Sequence, residues 1–188
     1  IPTSSNEMIQ RRLYLYIVAA VSLGMLLVGL GNLGTTTLNV VLRAPRTGTV
    51  VKDAIAGFGA VTLVGLPVWL LHWTIAQRLA GRHPDERASA LRRLYLYLVL
   101  AATAVAAAIG LRGLLEDGLG LLLGSFTDGA ALARTAWVSL LLLAFWFYHL
   151  RVAEADRAAV GQVGTSATLR RWYAYGLLFL GLAFLLFG

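Results

Sequence analysis

Five long apolar runs, each close to the roughly 20 residues that cross a hydrocarbon core of about 30 Å at 1.5 Å per residue, constrain this chain more than any other feature. Lipid offers the backbone no water to bond, so runs of this kind fold as helices. The first covers about residues 11–33 and gathers Gly24, Gly29, Gly31 and Gly34 toward its far end. The second covers about 54–78, with Pro67 expected to kink it because proline removes a backbone bond in mid-helix. The third, about 92–115, is alanine-rich from Ala101 to Ala108, and tight alanine packing predicts a place at the bundle centre. The fourth covers about 131–150, and the fifth opens at Arg170 and is still apolar at Gly188.

The segments between them are polar. Residues 35–53, with a β-branched start and Pro45, read as a loop carrying a short strand pair, and residues 80–91 as a short solvated turn containing His83. Leu119 to Leu123 is too short to span and reads as a piece lying at the interface. Residues 151–169 read as a surface helix and turn.

Composition agrees with lipid as the solvent: 59% of residues are hydrophobic and only 13% charged, about half the charged share usual in soluble domains. The net charge of +7 does not imply nucleic acid, because the cations sit at the ends of apolar runs instead of on one face. The absence of cysteine excludes disulfides, thiolate metal sites, iron–sulfur clusters and covalently attached haem. Arg11, Arg12, Arg78, Arg82, Arg87, Arg92, Arg93, Arg151, Arg157, Arg170 and Arg171 fall on one side, against Arg43, Arg46, Lys52, Arg112 and Arg134 on the other. The positive-inside rule makes the first side cytoplasmic, with the N-terminus inside, as in a bacterial inner-membrane protein.

The runs are related. Arg-Arg-Leu-Tyr-Leu-Tyr opens at Arg11 and again at Arg92, and Arg-Arg-Trp-Tyr-Ala-Tyr opens at Arg170, a period of about eighty residues. The alignment superposes Tyr14, Tyr95 and Tyr173, then Tyr16, Tyr97 and Tyr175, then Gly29, Gly110 and Gly188. The returning runs match as well: Thr62 with Ser139, Trp69 with Trp146 and His72 with His149. The expected fold is therefore all-α and polytopic, with tandem parallel repeats of two-helix transmembrane hairpins and five spans. Residues 1–10 form a polar N-terminal segment, 11–91 and 92–169 two complete hairpins, and 170–188 the first helix of a third. A further returning helix is expected beyond Gly188.

An Arg-Arg-aromatic-Tyr-x-Tyr opening followed by a returning helix that ends in Trp-x-x-His resembles the bacterial membrane family catalogued as domain of unknown function 5671. Arg92–Tyr97 and Trp69–Trp73 carry the likeness. It implies a multi-pass helical fold and transfers no catalytic residue.

Two motifs bear on function. Arg11, Arg12 and Tyr14, Arg92, Arg93 and Tyr95, and Arg170, Arg171 and Tyr173 fit an anchor of arginines in anionic lipid headgroups above a tyrosine belt, or a specific headgroup or partner contact. Trp69 with His72 and Trp146 with His149 each put an indole and an imidazole on one helix face. Two such histidines at one depth are candidate axial ligands of a b-type haem, or contacts for a quinone or pigment; the plainer expectation is interfacial histidines bonded to a carbonyl or water, with no cofactor. No span has a carboxylate or lysine at its middle, as ion-coupled transporters need. The Gly-x-Gly-x-x-Gly at Gly29 ends a membrane helix and so is no dinucleotide site. The first expectation is a non-catalytic membrane subunit packing against itself, other membrane proteins or lipids, with no metal site. The alternatives are a redox or cofactor-binding subunit, then a small-solute permease or channel whose polar lining would have to be Ser22, Thr62, Thr103 and Ser139.

Overall fold

The structure, a computed structural model, describes residues 5–42, 48–124, 128–161 and 165–187. Within these the chain forms α1 (Ser5–Val41), α2 (Gly48–Arg82), the single-turn α3 (Pro84–Arg87), α4 (Ala90–Leu122), α5 (Gly129–Val160) and α6 (Thr165–Phe187). No strand occurs among the described residues. The described residues hold five segments long and apolar enough to cross a membrane, the third of them running from Pro84 through α3 and α4, so the chain is an all-α polytopic protein. At 37 residues α1 is about 55 Å long, well beyond a hydrocarbon core.

Three of the segments between the apolar runs lengthen the spanning helices. The first part of the expected 35–53 loop extends α1, because Thr37 Oγ1 donates back to the Leu33 carbonyl at 2.9 Å and Asn39 is buried against α5. Its last part opens α2; Arg43, Pro45 and Arg46 lie outside the described residues. The strand pair is thus absent from the described part of this segment. Of the Leu119–Leu123 piece, all but Leu123 forms the last turn of α4, which Leu123 caps, carried there across Glu116 by an Arg112–Glu116 pair at 2.8 Å one helical turn apart. The predicted surface helix is a continuation of α5 to Val160, where Gly161 at φ 69° ends it. Gly188 lies outside the described residues.

α1 and α2 form one close hairpin and α4 and α5 another, with α1 also against α4 and α5, and α6 against α4. Gly65 sets the first crossing: a Cβ there would meet the Leu26 backbone nitrogen at 2.9 Å and the Ser22 carbonyl at 3.2 Å. Gly29 faces the Thr62 hydroxyl and Gly110 the Ser139 hydroxyl, so both hairpins meet glycine to hydroxyl. In Gly34 the missing side chain leaves the place taken by the Trp137 indole.

The core is not the alanine tract. Of the alanines between 101 and 108 only Ala107 is buried. Leu15, Tyr16, Ala19, Leu23, Leu26, Trp69, Trp73, Ala76, Tyr95, Leu96 and Val99 form the core instead. They lie toward the arginine-rich end, where large aromatic side chains supply more buried area than alanine methyls.

Candidate functional site

The arginine pairs lie near the starts of α1, α4 and α6 at one end of the bundle, and Arg11, Arg12 and Arg92 are held by carboxylates. Glu86, 6% exposed on α3, accepts from Arg11 Nη2 at 2.5 Å and from Arg12 Nε at 2.9 Å. Arg92 is only 1% exposed. Its Nε donates to Asp156 Oδ2 at 2.6 Å and its Nη2 to Gln77 Oε1 at 2.6 Å. Arg87 shares Asp156 at 3.5 Å. Arg93 Nη2 donates to the Gly161 carbonyl at 3.1 Å, placing a cation on the C-terminal end of α5 where the helix dipole favours it.

This corrects the expectation that Arg92 and Arg93 sit among headgroups. A desolvated guanidinium needs a partner within the protein, and the post-α2 turn and the end of α5 provide the two carboxylates. Glu86, Asp156 and Gln77 were not singled out in the sequence. The signal was three cation pairs in search of counter-ions; the choice among Asp85, Glu86, Glu154 and Asp156 depends on how the helices pack.

Below the ion pairs lies an aromatic cluster. Trp73 stacks under Arg92, whose guanidinium carbon is 5.6 Å from the ring centroid, and its Nε1 donates to the Tyr148 hydroxyl at 2.7 Å. Trp69 Nε1 donates to the Tyr95 hydroxyl at 3.4 Å, and that hydroxyl is 3.4 Å from His149 Nε2. His149 Nδ1 is 2.8 Å from the Phe145 carbonyl. A carbonyl only accepts, so Nδ1 carries the proton, and in the neutral ring Nε2 takes the proton of Tyr95. The result is one directed chain from indole to phenol to imidazole to carbonyl.

The two histidines do not share a site. His149 is fully buried, its ring against Trp73, Phe145 and Tyr148. His72 bonds the Val68 carbonyl through Nδ1 at 2.8 Å and packs on Tyr14, with centroids 5.7 Å apart. One imidazole thus lies on α1 and the other among α4 and α2 side chains. The free nitrogen of His149 is turned onto a tyrosine and its ring is enclosed by aromatics, leaving no face for a porphyrin. These residues do not fit a bis-histidine haem. Among the described residues no group of three His, Cys, Asp or Glu side chains is placed to hold a metal.

The same residue types meet in pairs along the chain. Tyr14 packs on His72 at 5.7 Å and Tyr95 on His149 at 5.9 Å. Trp69 donates to Tyr95, and Trp146 Nε1 donates to the Tyr173 hydroxyl at 3.0 Å. Tyr16 lies on Tyr95 at 5.6 Å and 37°, and Tyr97 on Tyr173 at 5.7 Å and 39°. Arg170 and Arg171 are exposed on α6.

A family model described as domain of unknown function (DUF5671) matches residues 12–144. The chain belongs to that family. No curated protein and no solved structure matches the chain. The DUF5671 match contains Arg92, Tyr95 and the Trp69–His72 motif, and it stops short of Trp146, His149 and Asp156. The partners of Arg92 and Tyr95 on α5 therefore lie beyond the matched DUF5671 segment.

Proposed function

We propose that this protein is a non-catalytic integral membrane subunit, built of two-helix units repeated in the same sense, that packs laterally against a second copy of itself or against other membrane chains. One observation carries the reading: the contact between successive outgoing helices occurs twice with the same residue types and nearly the same geometry. Tyr16, Trp69 and Tyr95 make it once; Tyr97, Trp146 and Tyr173 make it again. A contact of this head-to-tail kind leaves complementary faces at the two ends of a series, and such contacts propagate. The residues in position to continue it are exposed: Tyr14 at 62% on α1, and Trp172 at 74% and Tyr175 at 66% on α6. In this reading the arginine-rich end faces the cytoplasm of a bacterial inner membrane.

The permease alternative gains little support. Three of its four candidate hydroxyls bond back to their own helices: Ser22 to Val18 at 2.6 Å, Thr62 to Phe58 at 2.8 Å and Thr103 to Val99 at 2.7 Å. The enclosed His149 argues against the cofactor alternative.

The test is the mass of the purified protein in mild detergent, together with crosslinking in native membranes. The expected result is a species containing more than one 20.2 kDa chain, or a stable complex with another membrane protein. Copies carrying Tyr14→Cys should crosslink to copies carrying Tyr175→Cys, with no native cysteine to interfere. A lone chain that forms neither product overturns the reading.

A further inference from the structure

A cleft of about 170 Å³ opens where α4, α5 and α6 meet, and its lining changes character with depth. On α4, Tyr97 stands one turn beyond Arg93 and Leu100 follows on the same face. On the antiparallel α5, Leu150 is at the floor, Glu154 nearer the mouth and Arg157 at the mouth. On α6, Arg170 stands at the mouth and Tyr173 one turn deeper. Two guanidiniums, Arg157 and Arg170, thus stand at the arginine-rich end against one carboxylate, tyrosines stand at mid-height, and leucines close the bottom.

A tetrahedral anion with several acceptor oxygens matches the fork that each arginine presents. Cations above and hydrocarbon below describe an amphiphile.

We propose that this cleft binds an anionic membrane phospholipid, its phosphodiester held by Arg157 and Arg170 and the start of an acyl chain lying on Leu100 and Leu150. The proposal rests on the helices spanning a bilayer and goes beyond the subunit role. The two fail separately, since self-association is read as protein mass and this site as a lipid adduct.

The experiment is native mass spectrometry and thermal melting of the whole chain in mild detergent, with added phosphatidylglycerol, phosphatidylcholine or inorganic phosphate. Phosphatidylglycerol should give a one-to-one adduct and raise the melting temperature, while the other two do so weakly or not at all. Arg157→Gln, at an exposed position, should weaken the adduct about ten-fold, the effect of losing one charged hydrogen bond. Arg151→Gln, whose guanidinium lies over Phe147 outside the cleft, should leave the adduct unchanged. Equal binding of phosphatidylcholine, a shift given by inorganic phosphate alone, no adduct at all, or an adduct indifferent to Arg157→Gln would each overturn the proposal.

Discussion

Arg92 and Asp156, sixty-four residues apart, form a buried ion pair at 2.6 Å that joins the start of α4 to the last turns of α5. The guanidinium is 1% exposed and the carboxylate 7%, so neither has water to fall back on. Trp73 beneath and Gln77 beside complete the enclosure.

Removing one partner should therefore harm the fold far more than removing both. Asp156→Ala is expected to cost about 3–5 kcal/mol, the penalty of an uncompensated buried charge. The Arg92→Met, Asp156→Leu double variant should recover most of that loss. Thermal melting followed by circular dichroism in detergent decides it; a double variant no better than Asp156→Ala would mean the pair is not the clamp.

The α1–α2 crossing makes a steric prediction. Gly65→Ala pushes a methyl into α1 backbone, which cannot rotate away, and should cost about 1–3 kcal/mol. Gly24→Ala meets nothing within 4 Å and should be neutral or slightly stabilising. Equal melting temperatures for the two variants would contradict the crossing.

Tyr95→Phe deletes the hydroxyl that serves both Trp69 and His149, leaving two buried polar atoms unmatched. The expected loss is about 1–3 kcal/mol. Tyr14→Phe, at the aligned but exposed position, should stay within about 0.5 kcal/mol of the parent. Chemical denaturation of the two variants side by side measures the contrast.

Orientation is open to a labelling experiment, because the chain has no cysteine of its own. Asp53→Cys and Asp85→Cys both occupy exposed positions at opposite ends of α2 and its following turn. A membrane-impermeant maleimide applied to intact cells should label the first and spare the second. The reverse pattern would turn the molecule over in the membrane.

The sequence by itself determined the helices and the end of each that carries the arginines. Length of apolar run, arginine pairs at helix starts and the Trp-x-x-His spacing are local properties, and each is legible because lipid leaves the backbone one solution. It also held the repeated residue types that meet in the structure. It misjudged the ends of helices, where Thr37 and Glu116 continue a helix through polar sequence by bonding within it. It set α4 among its neighbours on the wrong residues: the alanines at 101–108 are mostly exposed or half-buried, and Tyr95, Leu96 and Val99 carry the helix into the core. Tertiary structure alone decided that Arg92 is buried, that Asp156 holds it, and that His72 and His149 face different helices. Those outcomes depend on how each helix is rotated about its axis and on which neighbour it meets, and no local pattern encodes a pairing made across sixty-four residues.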